Sequence, residues 1–236
     1  MSYNIYKDSK YLNYTYSNKI APPSEYPTKL GFWLAENAYG DCGSLLDVGC
    51  GRGDYLEVFY KMGFDVTGID LSPNIMDLKE KYSVAQVDLE EESYPYEEGS
   101  YDFLFSKSVI EHLRNPDNLF VNSFRVLKDE GTAVFMTPSW EHQSWGPFYI
   151  DHTHVTPFTA KSLENALRMA GFSEVKVEHF YQLPMIWKYP PLKVLARLLT
   201  LLRIPYRPFK SAPWSIKTNK VIRFSSEVML MAVAKK

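Results

Sequence analysis

The chain is predicted to fold as an α/β domain built on a doubly wound, mostly parallel sheet. Three observations predict it. Short apolar runs of strand length alternate with stretches of helical apolar spacing from about residue 26 onward. The first such run, Leu45 to Val48, leads into Gly49-Cys50-Gly51-Arg52-Gly53 and then into a helical pattern, the strand–turn–helix unit of a nucleotide-binding crevice. At 236 residues and 45% hydrophobic, the chain is also the size of one α/β core with modest additions.

The elements follow in order. Residues 1–23 are polar and rich in tyrosine, with Tyr3, Tyr6, Tyr11, Tyr14 and Tyr16, and read as an arm. Residues 26–38 carry Leu30, Trp33 and Leu34 at helical spacing. Arm and helix together, residues 1–39, are expected to cover the active site. The strand at 45–48 precedes a helix from Asp54, with Tyr55, Leu56, Phe59 and Tyr60 on its buried face and Gly63 at its end. Phe64–Ile69, Ser83–Val87 and Tyr101–Phe105 are the next strands. Asn115-Pro116 reads as an N-cap followed by proline at the first helical position, for a helix running to about Lys128. Gly131–Thr137 is the fifth strand. Thr159 caps a helix whose Leu163, Ala166, Leu167 and Ala170 share one face and which Gly171 ends. Glu174–Tyr181 and Glu227–Ala234 complete the sheet. The core is therefore expected at 40–182 and 224–236, interrupted by an insertion at 183–223.

Glycine spacing chooses between cofactors. A dinucleotide fingerprint, G-x-G-x-x-G, requires a glycine at position 54, where the chain has Asp54; its third glycine is Gly53. An acidic residue, Asp47, two places before G-x-G-x-G resembles the first motif of the class I S-adenosylmethionine (SAM) methyltransferases. Asp70 at the end of the second strand, Asp88-Leu89 after the third, and Val109-Ile110-Glu111-His112-Leu113 after the fourth follow in the order that family shows. The resemblance implies a seven-stranded Rossmann-like sheet with an antiparallel last strand, and SAM as the cofactor. It places Asp47 at the SAM ammonium, Asp70 at the ribose hydroxyls, Asp88 at the adenine amino group and Leu89 against the ring. Gly49, Cys50, Gly51, Gly53, Leu71 and Ser106 complete the implied cofactor set.

Methyl transfer from a sulfonium is an in-line displacement, so the protein mainly aligns the acceptor and removes its proton. An open α/β sheet binds ligands past the carboxyl ends of its strands. The loop after the fifth strand, 140–159, lies there and holds three of the five histidines. Such long loops are functional or disordered, and this one is too aromatic for disorder. Its run Asp151-His152-Thr153-His154-Val155-Thr156-Pro157-Phe158-Thr159 resembles a segment of methyltransferases of glycan and polysaccharide biosynthesis. That resemblance implies a sugar hydroxyl of a glycan, glycolipid or nucleotide sugar as acceptor. It puts His154 ahead of His152 as general base, with Asp151 orienting the ring; anchoring the loop by hydrogen bonds is the competing role for His154. Glu111 and His112 are the next base candidates. No metal ion is expected, because no local spacing signature supports one. A quinone-like or other small lipophilic acceptor is the alternative, and a SAM-binding scaffold without catalysis is the third reading.

Residues 183–226 contain no Asp or Glu but nine basic residues, in a chain of net charge −2. Such asymmetry points to an anionic partner for one face. Residues 190–203 read as a helix with Lys193, Arg197 and Thr200 on a narrow polar stripe and leucines around the rest. Spanning a bilayer takes about 20 residues, so this helix is too short. Flanked by Trp187 and Trp214, it suits an anionic membrane surface or a glycolipid, with a packed helix as the competing role. Nucleic acid is not expected, since no recognition motif accompanies the basic charge. Two cysteines, Cys42 and Cys50, make no disulfide framework, and no secretory segment is evident. A cytoplasmic protein, peripheral at a membrane at most, is expected.

Overall fold

A computed structural model of the chain describes residues 22–202 and 216–236. The tyrosine-rich arm up to residue 21 and the stretch 203–215, with Arg203, Arg207, Lys210 and Trp214, lie outside the described residues.

Seven strands form one sheet: β1 (Ser44–Val48), β2 (Asp65–Asp70), β3 (Ser83–Gln86), β4 (Tyr101–Lys107), β5 (Leu127–Pro138), β6 (Glu174–Phe180) and β7 (Met229–Lys235). Their order is β3-β2-β1-β4-β5-β7-β6. Neighbours are parallel except around β7, which runs antiparallel to both β5 and β6. The expected doubly wound, mostly parallel sheet is the one that forms. Strand order reverses between β1 and β4, and an open α/β sheet places its ligand crevice at that reversal.

A parallel sheet must be covered on both faces, and strand side chains alternate between them. Leu46 and Leu104 join one core with Leu119 and Phe120 of α3 (Asp117–Val126) and Leu163 and Leu167 of α5 (Ala160–Met169). Leu45 and Phe105, one residue along, join the other with Leu30 and Leu34 of α1 (Tyr26–Leu34) and Leu56 and Phe59 of α2 (Asp54–Lys61). α5 begins as predicted: Thr159 accepts from the Ser162 amide and Ser162 answers in a capping box.

Several boundaries and faces differ from expectation. Tyr60 is exposed and Val58 is buried, because Val58 packs toward Gly31 of α1 and turns the face of α2 by part of a turn. Pro116, not Asn115, occupies the N-cap of α3; the Asn115 amide donates instead to the Glu90 carboxylate at 2.9 Å. β4 runs on through Lys107, so Ser106 is a strand residue. The N-terminal helix continues as a wider π-turn, Ala35–Tyr39. It packs on α2 and, through Trp33, on Phe180 and Trp187. Residues 22–39 are not among those lining the crevice, and the arm up to residue 21, expected to cover the site with them, lies outside the described residues.

Among its described residues the insertion holds three helices, α6 (Pro184–Lys188), α7 (Leu192–Leu201) and α8 (Ile216–Ser226), α4 (Trp140–Gln143) having followed β5. α7 packs on α8, and the Thr200 hydroxyl donates to the Ser225 carbonyl at 2.7 Å. Thr200 therefore belongs to the packed side of α7, not to a solvent stripe.

Candidate active site

The crevice is built from the carboxyl ends of β1, β2, β3 and β4 and the segments after them. Gly49 and Cys50 turn sharply off β1, both amides donating to the Ile69 carbonyl at 2.7 and 3.1 Å. Only glycine serves at position 49: its φ is +77°, and a Cβ there would stand 2.2 Å from Val109. The Gly51 amide donates to Asp70 Oδ2 at 2.9 Å and the Ser72 amide to Oδ1 at 2.8 Å, so Asp70 ties the glycine turn to the end of β2. Each carboxylate oxygen keeps a second lone pair.

Of the implied cofactor residues, Gly49, Cys50, Gly51, Asp70, Leu71, Asp88 and Leu89 line the crevice. Three do not. Gly53 caps α2 with φ +83° and faces Leu78. Ser106 is buried within β4, and its hydroxyl has no hydrogen-bond partner. Asp47 lies buried in β1, with Oδ2 lacking a partner. Burial pushes the Asp47 carboxyl well above the usual carboxylate range, and the charges of Asp70 and Asp54 push it further. A carboxyl oxygen without a donor, coupled to two acidic residues that line the crevice, favours a cationic ligand; an ammonium would supply the missing hydrogen bond. The donor set thus fits SAM. Arg52 is already paired to Asp54 at 2.8 Å.

The far end of the crevice carries Lys107, Ser108, Val109 and His112. Ser108 sits at φ +58°, a left-handed turn that carries the chain off β4. His112 Nδ1 lies 2.9 Å from the Thr153 hydroxyl, which donates to Asp151 Oδ1 at 2.5 Å. The His112 and His154 rings meet edge to face, centroids 4.7 Å apart. Burial, then the neighbouring His154, lowers the His112 pKa to about 4. Burial lowers that of His154 as well. Glu111 is buried and accepts from the Thr137 hydroxyl at 2.9 Å; burial raises its pKa to about 7. Burial depresses Lys107, with the Glu111 charge opposing.

The expected base candidates thus separate. Glu111, His112, Asp151 and His154 come together, whereas His152 is exposed and outside the crevice. His154 Nδ1–H donates to the Phe148 carbonyl at 2.6 Å, so His154 does anchor the loop. Among the described residues, two groups hold ligand atoms within 4.8 Å of one another, close enough to share a cation: Glu111 with His112 and His154, and Glu141 with His142 and His179. In the second, His179 Nε2 is 2.7 Å from Glu141 and Ser139 Oγ is 3.0 Å from His142 Nδ1.

Lys107, Ser108 and Thr153 were not singled out from the sequence. A charged residue closing an apolar strand was a usable signal for Lys107. None existed for Ser108, and Thr153 was hidden between two histidines.

Comparison with known proteins agrees with this geometry. Residues 19–177 match the Methyltransf_23 family, described as a methyltransferase domain. A ubiquinone biosynthesis O-methyltransferase of Burkholderia vietnamiensis is 27% identical over 177 residues, 70% of this chain and 76% of that protein. One from Escherichia coli is 30% identical over 128 residues, half of this chain and 52% of its own length. A SAM-dependent methyltransferase structure from Archaeoglobus fulgidus superposes with TM-score 0.63 at 22% identity, over 90% of this chain and 95% of that one. A Haemonchus contortus phosphoethanolamine N-methyltransferase 2 in complex with SAM gives 0.64 at 20%, over 96% and 59%. At these identities the structural likeness speaks for the fold.

Proposed function

Because the chain belongs to the Methyltransf_23 methyltransferase-domain family and is a SAM-dependent methyltransferase, we propose that it methylates a hydroxyl of a quinone-like or other small lipophilic acceptor. The observation that carries this reading is His112 at the far end of an acidic crevice, with the His154 ring packed edge to face against it behind the lining. An imidazole whose pKa lies below neutrality is uncharged and able to take the hydroxyl proton. The similarity to ubiquinone O-methyltransferases supports the acceptor class. Asp47 would hold the SAM ammonium, Asp70 the ribose, and Asp88 with Leu89 the adenine; SAM supplies the electrophilic methyl. A sugar hydroxyl of a glycan, glycolipid or nucleotide sugar is the second reading. Tyr149, beside the Phe148 carbonyl that anchors His154, exposes a ring on which a sugar could stack.

The test is methyl transfer from labelled SAM with an alkylated catechol, a glycolipid and a nucleotide sugar offered in parallel. Turnover of the catechol alone is expected. Turnover of either sugar instead overturns the lipophilic reading in favour of the second, and SAM binding without any turnover would favour a scaffold.

An anionic membrane surface is the proposed partner of α7. Val194, Leu195, Leu198, Leu201 and Leu202 are each 53–77% exposed, beside exposed Lys193 and Arg197. Apolar side chains with basic neighbours suit the headgroup boundary, and a lipophilic acceptor would be met there. No helix among the described residues is long and apolar enough to cross a membrane.

A further inference from the structure

We infer that Thr153 is a positioning residue that makes His112 the proton acceptor, by linking the His112 ring to Asp151. The inference rests on the hydroxyl-methylation reading above and deepens it.

A threonine hydroxyl has one proton to give. As a carboxylate, Asp151 can only accept, and Thr153 reaches its Oδ1 twice: hydroxyl at 2.5 Å and amide at 3.0 Å. The hydroxyl proton is therefore spent on Asp151. Thr153 Oγ1 turns its lone pairs to His112 Nδ1, 2.9 Å away. Nδ1 must then carry the ring proton, which leaves Nε2 with the lone pair. Thr153 is buried, so solvent does not compete for the link. The Thr153 backbone, which also hydrogen-bonds the ring, favours the protonated imidazole, and the Thr153 hydroxyl is what couples the negative charge of Asp151 to it.

The neighbouring ring is placed differently. His154 has its Nδ1 proton fixed on the Phe148 carbonyl, a neutral acceptor, and does not line the crevice; His112 does. The edge-to-face contact between the rings then orients His112. In the transfer, a lone pair on the acceptor oxygen forms the new O–C bond, and the C–S pair remains on sulfur. The hydroxyl proton passes to His112 Nε2. The imidazolium so formed donates through Nδ1 to Thr153 and is stabilised by Asp151, until it releases the proton to solvent.

Two measurements test this on the full-length protein. Nitrogen-15 NMR of the free protein reads the His112 tautomer without any acceptor. The Nδ1–H form is expected in the native protein and in Thr153→Ser, and a shifted Nδ1 resonance, from loss of the link to Asp151, in Thr153→Val. Kinetics on the acceptor identified above should show kcat reduced at least about tenfold in Thr153→Val, with SAM affinity within about twofold of native and the rate restored in Thr153→Ser. Asp151→Asn, which keeps an acceptor oxygen but removes the charge, should lose rate with the tautomer retained; it stands in if the valine variant does not fold. An Nε2–H tautomer in the native protein, or native kcat in Thr153→Val, overturns the inference. Native methylation of a nitrogen or carbon centre, with the Nδ1–H tautomer present, would overturn the hydroxyl reading while leaving the hydrogen-bond chain standing.

Discussion

Replacing Asp47 by Asn should weaken SAM binding and stabilise the cofactor-free fold at the same time. The side chain is buried, its Oδ2 has no donor, and Asp70 and Asp54 hold its pKa up after burial has raised it. Ionising it for SAM is therefore costly, and the ammonium compensates. A charge-assisted hydrogen bond contributes about 1.5–3 kcal/mol, so its loss corresponds to roughly 10- to 150-fold in Kd. Without cofactor the sign reverses. A carboxyl raised in the folded state disfavours folding as pH rises above its unfolded value, and asparagine carries no such charge. Relief of that cost should raise Tm, each 1 kcal/mol corresponding to about 2–4 °C for a chain of this size. Calorimetric titration of SAM and a thermal scan without cofactor, both near neutral pH, read the two effects. An unchanged Kd, or a lower Tm in the variant, refutes the assignment of Asp47 to a cationic ligand.

Asp70→Ala should weaken SAM binding at least about tenfold in calorimetry, and should also lower Tm, because two backbone amides lose their acceptor. Glu111, raised to about 7, makes the native protein lose stability as pH rises from its unfolded value near 4.5 through 7, by on the order of 3 kcal/mol. Urea unfolding of Glu111→Gln at pH 5 and 7.5 should show that slope flattened. Changing Lys193 and Arg197 to Glu should abolish co-sedimentation with acidic vesicles, and native binding should fall with salt as screening shortens to about 8 Å; absence of binding even at low salt refutes the membrane partner. Turnover should survive dialysis against a chelator, and loss restored by magnesium would point to a cation at Glu111, His112 and His154.

The fold was legible because each of its signals is local. The G-x-G-x-G turn, the Thr159 cap and the apolar strand runs each report on a few adjacent residues, and the observed β1, α5 and β7 follow them closely. Expectation failed where a distant residue decided the outcome. Tyr60 and Val58 are both apolar, and the choice between them was made by Gly31, which leaves room for Val58. Asn115 is a good cap by type, but Glu90, 25 residues earlier, takes its amide and shifts the helix start. Thr200 reads as polar surface on its helix, and its contact with the Ser225 carbonyl of α8, beside one with Ala196 of its own helix, turns it inward.

The candidate site divides the same way. The expected cofactor residues sit on turns whose glycines and carboxylates are adjacent in sequence, and most of those named in advance do line the crevice, Gly53, Ser106 and Asp47 excepted. The acceptor end depends on direction, not residue type. His112, His152 and His154 have the same chemistry, and only the resemblance of the 151–159 run to glycan methyltransferases favoured His154. What separates them is where the Nδ1 proton goes: to a carbonyl for His154, and for His112 to a hydroxyl 41 residues away. A threonine between two histidines carries no signal of its own. It acquires one only when Asp151 occupies its proton, since the tautomer of His112 then follows from counting donors along the chain of bonds. On the proposed mechanism the loop after β5 decides which histidine takes the proton, and exchanging Thr153 for valine should change the reaction more than it changes cofactor binding.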